Sequence, residues 1–250
     1  MSTRPLFLYA GNSAAYFLTH RLPVMRALRD AGYDVHAALP ERPDILDDVV
    51  REGGDTLTAI RDLGFLVHPL ALTRGGRSPV LEARAALAIG ALYARIRPDI
   101  VCHATMKPVL YGGIAARATR VPGAVFAVTG LGYLFLAEGA KAALRRSLIR
   151  GILRAALSHP NARAVFQNDD DRESFIAQRL VKPGQTVLIP GSGVDVDHYQ
   201  VTPEPEGLPS LSCPRECFGT RASPSSWWPP ASSGAAASWP ASRSSARATP

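Results

Sequence analysis

The residues best suited to chemistry near the start of the chain are Gly11, Asn12 and Ser13. They follow an unbroken apolar run, Leu6–Ala10, which is typical of a buried strand in a parallel sheet. A helical pattern then runs to Gly32. A glycine turn between strand and helix presents free backbone N–H groups, which can bind an anion such as phosphate. The same residues also fit a purely structural turn, and the chain lacks the G-x-G-x-x-G spacing of dinucleotide folds.

Two later loops follow apolar runs in the same way, at residues 103–107 and 129–132. Ligands of parallel sheets bind beyond the carboxyl ends of the strands, so these loops are the next candidates. Three consecutive acids, Asp169, Asp170 and Asp171, look like a metal site. They also stand at a predicted helix start, where a cap and the helix dipole explain them better.

These loops need strands and helices to position them, and the hydrophobic pattern predicts both. The predicted strands are Leu6–Ala10, Asp34–Leu39, Phe65–Leu70, Ile100–His103, Ala124–Val128, Ala164–Phe166 and Thr186–Ile189. The predicted helices are the segment that closes at Gly32 and then Pro43–Glu52, Val80–Ile96, Val109–Thr119, Lys141–Leu157 and Asp169–Arg179. Residues 53–64 are ambiguous. The alternation indicates an α/β fold, a Rossmann-like doubly wound parallel sheet with helices on both faces.

Composition predicts a globular cytoplasmic protein. Of the 250 residues, 46% are apolar, which is enough for a core, and a net charge of +7 suggests anionic partners without indicating nucleic acid. Cys102, Cys213 and Cys217 are too few for a disulfide framework, and Cys102 fits a small core residue better than a reactive thiol. No signal segment is recognisable at the N-terminus, and the uncharged part of Val80–Ile96 is too short to span a bilayer.

Six sequence pieces, in order over residues 5–200, resemble the amino-terminal half of the GT-B glycosyltransferases of family 4. They are G-N-S-A with R-L-P at 21–23, R-P-D-I-V at 97–101, H-A-T-M-K-P-V-L-Y-G at 103–112, T-G-L-G-Y at 129–133, F-Q-N-D-D-D-R at 166–172 and I-P-G-S-G-V-D at 189–195. The most similar subgroup transfers N-acetylhexosamines onto polyprenyl-diphosphate-linked sugars. The resemblance implies a retaining enzyme with a UDP-sugar donor, no metal or other cofactor, and an acceptor-side Rossmann-like domain over residues 1–200.

The resemblance also implies roles for individual residues. Gly11, Asn12 and Ser13 would approach the donor diphosphate or the transferred sugar. His103 would be the catalytic candidate, presenting a polar group to that sugar. An ordinary strand-end histidine held by backbone carbonyls is the alternative for His103.

On the acceptor side, the resemblance implies contacts from a lysine and a small-residue loop. These residues are Lys107, Thr129, Gly130 and Gly132. A flexible lysine charge can follow a diphosphate, although a solvated loop lysine is the alternative for Lys107. Gly193 and Asp195 would mark the hinge to a second domain.

The helix Lys141–Leu157 suggests contact with the cytoplasmic face of the inner membrane. One stripe is apolar (Leu144, Leu148, Ile152 and Ala155), and the opposite face is basic (Arg146, Arg150 and Arg154). A basic face can hold anionic lipid headgroups, which would suit a lipid-linked acceptor. Packing of the stripe on the sheet, with solvated arginines, is the alternative that the sequence alone favours.

The last part of the chain, residues 201–250, changes character. Of the last 43 residues, 11 are Ser, 8 are Ala and 7 are Pro, which predicts a disordered low-complexity tail. Read one base out of frame from Ser212 with GC-rich codons, the segment encodes L-P-A-R-M-L-W-D-K-G and resembles the start of a GT-B donor domain. We therefore expect a frameshift, and negligible transferase activity from the 250-residue chain.

Two other functions remain open from the sequence. One is a non-catalytic single-domain module that binds a nucleotide or a glycolipid. The other is a GT-B epimerase of UDP-N-acetylglucosamine, although the pieces K-P-V-L-Y-G and T-G-L-G-Y favour a transferase.

Overall fold

The computed structural model describes residues 4–41, 55–72, 78–129 and 140–193, together with Val201 and Pro203. Its strands are β1 (Leu6–Ala10), β2 (Asp34–Pro40), β3 (Leu66–Leu70), β4 (Ile100–Ala104), β5 (Gly123–Val128), β6 (Ala162–Phe166) and β7 (Thr186–Leu188). They form one parallel sheet in the order β3-β2-β1-β4-β5-β6-β7. The predicted Rossmann-like fold is confirmed. The predicted boundary at residue 200 and the tail lie outside the described residues, apart from Val201 and Pro203.

Helices connect the strands. They are α1 (Ala14–Tyr16), a π turn (Phe17–Arg21), α2 (Leu22–Asp30), α3 (Thr56–Asp62), α4 (Pro79–Ile96), α5 (Met106–Ala118), α6 (Ala140–Leu157), α7 (Asp169–Ala177) and a 3₁₀ turn (Pro183–Gln185). Gly32 follows α2 with φ +92°, as its predicted position after the helix requires. The predicted helix Pro43–Glu52 falls outside the described residues.

Most element boundaries differ from the prediction by only one or two residues, and three differences have a local cause. The ambiguous segment contains α3, which Asp55 caps by accepting a hydrogen bond from the Leu57 N–H at 3.0 Å. α5 begins at Met106 rather than Val109 because Pro108 stands in the first turn, where its missing N–H breaks no hydrogen bond. α7 ends at Ala177 rather than Arg179, since Arg179 adopts φ +55° and leaves the helical region.

Buried side chains form one apolar cluster on each face of the sheet. Leu8, Val101 and Phe126 belong to the cluster that packs under α4, α5 and α6. Phe7 and Tyr9, which point the other way, belong to the cluster under α1 and α2. Successive residues of a strand therefore serve opposite layers, which is the arrangement of a doubly wound sheet.

Gly112 allows α5 to lie directly on β4. A Cβ added at Gly112 would stand 2.2 Å from His103 Cδ2 and 3.0 Å from the Tyr93 hydroxyl oxygen. A Cβ at the next residue, Gly113, would stand 2.6 Å from Ala156 Cβ on α6. Both distances are below van der Waals contact, so this helix needs glycine at these two positions.

We expect Gly112→Ala to lower the free energy of unfolding by about 1–3 kcal/mol, the usual effect of overpacking a core. The measurement is urea denaturation of the variant beside Gly151→Ala. Gly151 lies in α6 with nothing within 4 Å of an added Cβ, so alanine there should be neutral or slightly stabilising. Equal stability of the two variants would contradict the close packing described above.

Candidate functional site

The candidate site lies where β1 and β4 end side by side. Ala10 of β1 pairs with His103 of β4, and the order of the strands reverses at this pair. Open α/β sheets bind ligands in the crevice at such a reversal. The loops after β1 and β4 meet here, and Thr129 follows the adjacent strand β5, as predicted from the strand ends.

The turn after β1 is held tightly by its own backbone and by Ser13. The Gly11 N–H donates to the Ala38 carbonyl at 3.1 Å, and Ser13 Oγ accepts a hydrogen bond from the Tyr16 N–H at 3.2 Å. A Cβ at Gly11 would stand 2.8 Å from the Tyr9 hydroxyl oxygen, so only glycine fits. Asn12, between them, is half-buried. Contact of this turn with a donor phosphate or sugar stays a prediction.

The helix after this turn is not a regular α-helix. Phe17–Arg21 forms a π turn in which the Leu22 N–H bonds to the Phe17 carbonyl, five residues back. π turns inside α-helices occur frequently at functional sites. This one ends at Arg21, which donates from Nη2 to the Tyr16 hydroxyl at 3.1 Å.

His103 lies in the core rather than in the crevice. Its side chain is 0% exposed, its ring stacks on Phe126 at 5.1 Å between centroids, and its Nε2 lies 2.9 Å from the Tyr93 hydroxyl. Burial lowers the pKa of His103 to about 3, and His159 adds to the effect. A neutral imidazole locked between α4, α5 and β5 suits a positioning role. A direct contact of His103 with the transferred sugar stays a prediction.

Lys107 belongs to a three-residue polar cluster between α4 and α5. Its Nζ lies 2.6 Å from Glu82 Oε1, and the Tyr111 hydroxyl donates to Glu82 Oε2 at 2.6 Å. Burial and the adjacent carboxylate both raise the pKa of Tyr111, so the phenol stays protonated as a donor. The lysine is therefore held in a fixed position beside the carboxyl end of β4, unlike a freely solvated loop lysine.

Thr105 links β4 to α5 in a conformation that favours glycine. Its φ is +73° and its ψ is 161°, and its hydroxyl is buried with no hydrogen-bond partner among the described residues. Backbone strain of this kind clusters at ligand sites. Thr105 lies between His103 and Lys107, and its backbone conformation sets the direction of α5 relative to β4.

The remaining predicted site residues are only partly described. Thr129 is half-buried at the end of β5. Gly193 is exposed with φ +71°, a conformation suited to glycine. Gly130, Gly132 and Asp195 lie outside the described residues, so the acceptor loop and the hinge stay predictions.

The three acids that resemble a metal site serve α7 instead. Asn168 caps this helix by accepting from the Asp171 N–H at 2.8 Å, and Asp169 forms an ion pair with Arg172 at 2.7 Å. The predicted helix start is confirmed, although the capping residue is Asn168 and not an aspartate.

The predicted apolar stripe of α6 is confirmed at Ile152, which packs against the core, and wrong at Leu148 and Ala155, which are exposed. Leu148 is 64% exposed, whereas Leu153 and Ala156 are buried against the core. Contact between Ala156 and Gly113 of α5 selects this face, which spacing alone could not distinguish. Arg150 and Arg154 are exposed as predicted. None of the helices in the described ranges is long and apolar enough to cross a membrane.

Several residues of the site were not singled out from the sequence: Arg21, Glu82, Tyr93, Thr105 and Tyr111. Two had usable signals. Tyr111 follows Lys107 by four residues, which places both on one helix face, and Glu82 is an acid in the first turn of α4. Tyr93 depends on a contact with His103 on another element, whereas Arg21 and Thr105 depend on a π turn and on a positive φ, which residue spacing does not reveal.

Comparison with known proteins gives one curated relative and several solved structures. The chain is 22% identical over 191 residues to the N,N'-diacetylbacillosaminyl-diphospho-undecaprenol alpha-1,3-N-acetylgalactosaminyltransferase of Campylobacter jejuni, covering 76% of this chain and 46% of that protein. It is also similar in fold to a putative UDP-N-acetylglucosamine 2-epimerase from Listeria monocytogenes, with a TM-score of 0.51, 14% identity and coverage of 74% and 44%.

A weaker structural similarity is to MurG of Acinetobacter baumannii, with a TM-score of 0.46, 11% identity and coverage of 78% and 47%. The chain thus spans less than half the length of each of these proteins. The sequence profile of the family described as glycosyl transferase 4-like matches residues 7–168, which is more than half of the chain. These residues run from the second residue of β1 to the end of β6 and include the junction of β1 and β4, and the chain therefore belongs to the glycosyl transferase 4-like family.

Proposed function

We propose that this chain is the acceptor-side part of a retaining glycosyltransferase. The enzyme transfers a sugar, an N-acetylhexosamine, from a UDP-sugar donor to a glycan linked to polyprenyl diphosphate. The family match and the curated relative, whose name specifies such an acceptor, support this proposal.

The observation that carries the proposal is the pairing of two features at the junction of β1 and β4. One is the rigid Gly11–Ser13 turn, and the other is Lys107, held in place by Glu82. A closely approaching backbone and a fixed cation on neighbouring strand ends suit ligands with phosphate groups. In a two-domain enzyme, closure of the second domain over this edge would enclose the donor, and cationic groups would stabilise the departing diphosphate.

A membrane contact through α6 belongs to the same proposal. Arg150 and Arg154 are exposed on a helix next to the acceptor-side helix α5, and Leu148 is exposed with them. Exposed arginines suit the anionic cytoplasmic surface of a membrane that carries the lipid acceptor.

The first test is to sequence the gene across codons 200–215 and to express both the 250-residue chain and any frame-restored protein. Each is assayed with radiolabelled UDP-N-acetylgalactosamine or UDP-N-acetylglucosamine and a polyprenyl-diphosphate-linked sugar. We expect transfer by the frame-restored protein, and binding of the acceptor without measurable turnover by the 250-residue chain. Turnover by the short chain would contradict the expected loss of the donor site.

Two other outcomes would replace the proposal. Conversion of UDP-N-acetylglucosamine into its epimer without an acceptor would establish an epimerase. If the present reading frame is correct, and the chain binds a nucleotide or glycolipid tightly without turnover, the protein is a binding module. Calorimetry with each ligand distinguishes this last case.

A further inference from the structure

Arg21 places a cation beside the ends of β1 and β4. It is the last residue of the π turn, it is half-buried, and its guanidinium carbon lies 5.4 Å from the centre of the Tyr16 ring. Burial raises the pKa of Cys102 to about 11 and also raises the pKa of Tyr9, and Arg21 opposes both shifts. The guanidinium lies within electrostatic range of Tyr9 on β1 and of Cys102 on β4, which pairs with Tyr9.

This cation has no counter-charge in the part of the chain that the structure describes. Its Nη2 donates to the neutral Tyr16 hydroxyl, and its buried Nε has no hydrogen-bond partner there. The Tyr9 hydroxyl is buried facing this guanidinium and makes no hydrogen bond of good geometry within the described ranges. A partly buried charge without an opposite charge carries a desolvation cost. An anion that arrives from outside the fold would remove this cost.

The position of Arg21 relates it to the candidate site. The Tyr9 hydroxyl, which faces Arg21, stands 2.8 Å from where a Gly11 Cβ would lie. Tyr9 therefore connects Arg21 to the Gly11–Ser13 turn. This turn is at the reversal of strand order, where ligands of such sheets bind. A guanidinium presents parallel N–H donors that match two oxygens of a phosphate group.

We propose that Arg21 binds a diphosphate group at the junction of β1 and β4. The guanidinium of Arg21 neutralises part of the negative charge of this diphosphate. The inference rests on the proposed function, which offers two sources of this group, the UDP-sugar donor and the polyprenyl-diphosphate acceptor. Lys107 lies across the same junction on α5, so Arg21 and Lys107 would approach the bound anion from neighbouring strand ends.

The test is calorimetric binding of inorganic pyrophosphate, UDP and farnesyl diphosphate to the 250-residue chain at fixed ionic strength. Arg21→Gln is compared with Arg26→Gln, which removes the same charge from an exposed position on α2. We expect Arg21→Gln to weaken pyrophosphate binding about tenfold or more, since charge-assisted hydrogen bonds are lost. Arg26→Gln should change it less than about twofold, and Arg21→Lys should retain part of the affinity.

The three probes identify the source of the diphosphate. A loss confined to farnesyl diphosphate and pyrophosphate assigns Arg21 to the acceptor, and a loss confined to UDP and pyrophosphate assigns it to the donor. Either result supports the proposal, whereas equal binding of all probes by wild type and Arg21→Gln overturns it.

Thermal unfolding separates binding from a merely structural role. A cation without a counter-charge destabilises the free protein, so Arg21→Gln should melt at the same or a higher temperature. A lower melting temperature together with weaker binding would make Arg21 a structural partner of Tyr16 and overturn the proposal. If Arg21→Gln loses pyrophosphate binding while the frame-restored protein transfers no sugar, the diphosphate site stands and the proposed function falls.

Discussion

Acidification is expected to destabilise this protein by several kcal/mol through His103 alone. The pKa of His103 falls from its ordinary value of 6.5 to about 3 in the folded state, because the ring is buried beside Tyr93 and Phe126. Between these two pH values the unfolded chain binds a proton that the folded chain does not. The free energy of unfolding therefore decreases as the pH falls from 6.5 towards 3 and is unaffected by this group above that range.

The measurement is urea denaturation at a series of pH values for wild type and His103→Gln. The glutamine does not titrate, so the acid-induced loss should be smaller in the variant by several kcal/mol, although the variant starts less stable at neutral pH. Carboxyl groups such as Asp55, whose pKa is lowered by a hydrogen bond from Thr58, affect both proteins equally and cancel in the comparison. Parallel curves for the two proteins would mean that His103 is accessible and able to take up a proton when folded.

Replacement of Lys107 by alanine is expected to weaken binding of a polyprenyl diphosphate about tenfold to a hundredfold. The change removes a cation that Glu82 holds beside the carboxyl end of β4, and it leaves the carboxylate to repel the ligand. The variant should also lose stability, by about 1–3 kcal/mol, since both side chains are only about one-fifth exposed and Glu82 keeps its charge without the lysine. Calorimetry with farnesyl diphosphate measures the binding, and urea denaturation measures the stability.

Two variants test whether position or charge matters at Lys107. Glu82→Gln keeps the lysine but removes the charge that fixes it, so we expect weaker binding than wild type and stronger binding than Lys107→Ala. Lys182→Ala removes an exposed lysine near the start of β7, at the opposite edge of the sheet, and should leave affinity unchanged. An unchanged affinity in Lys107→Ala would mean that Lys107 does not bind the diphosphate and that its role is the ion pair with Glu82.

The fold could be predicted well because its signals are local. Continuous apolar runs predicted every strand, and Gly32 and Asp169 predicted a helix end and a helix start. The errors arose where a local signal had two meanings. Pro108 fits the first turn of a helix as well as the residue before it, and the apolar residues of α6 satisfy two stripes that only packing against Gly113 separates.

The location of the site in the sheet could be predicted from the sequence, but the contacts of its side chains could be predicted less well. Strand ends predicted that Gly11, His103 and Lys107 would lie at one edge of the sheet, and they do. The sequence could not show which way the His103 ring points, because this depends on the space that Gly112 leaves under α5. Nor could it show the partner of Lys107, since Glu82 is 25 residues away on another helix.

The π turn before α2 also has a consequence for how this family can change over time. The hydrogen bond from the Leu22 N–H to the Phe17 carbonyl reaches five residues back, whereas the hydrogen bonds of a regular α-helix reach four residues back. Deleting one residue between Phe17 and His20 would rotate α1 and the turn after β1 by about 100° relative to Arg21 and α2, given 3.6 residues per turn. The helix could stay intact, but the cation would leave the ends of β1 and β4. A relative that is one residue shorter here should therefore carry its basic residue at a different position, or bind a different ligand.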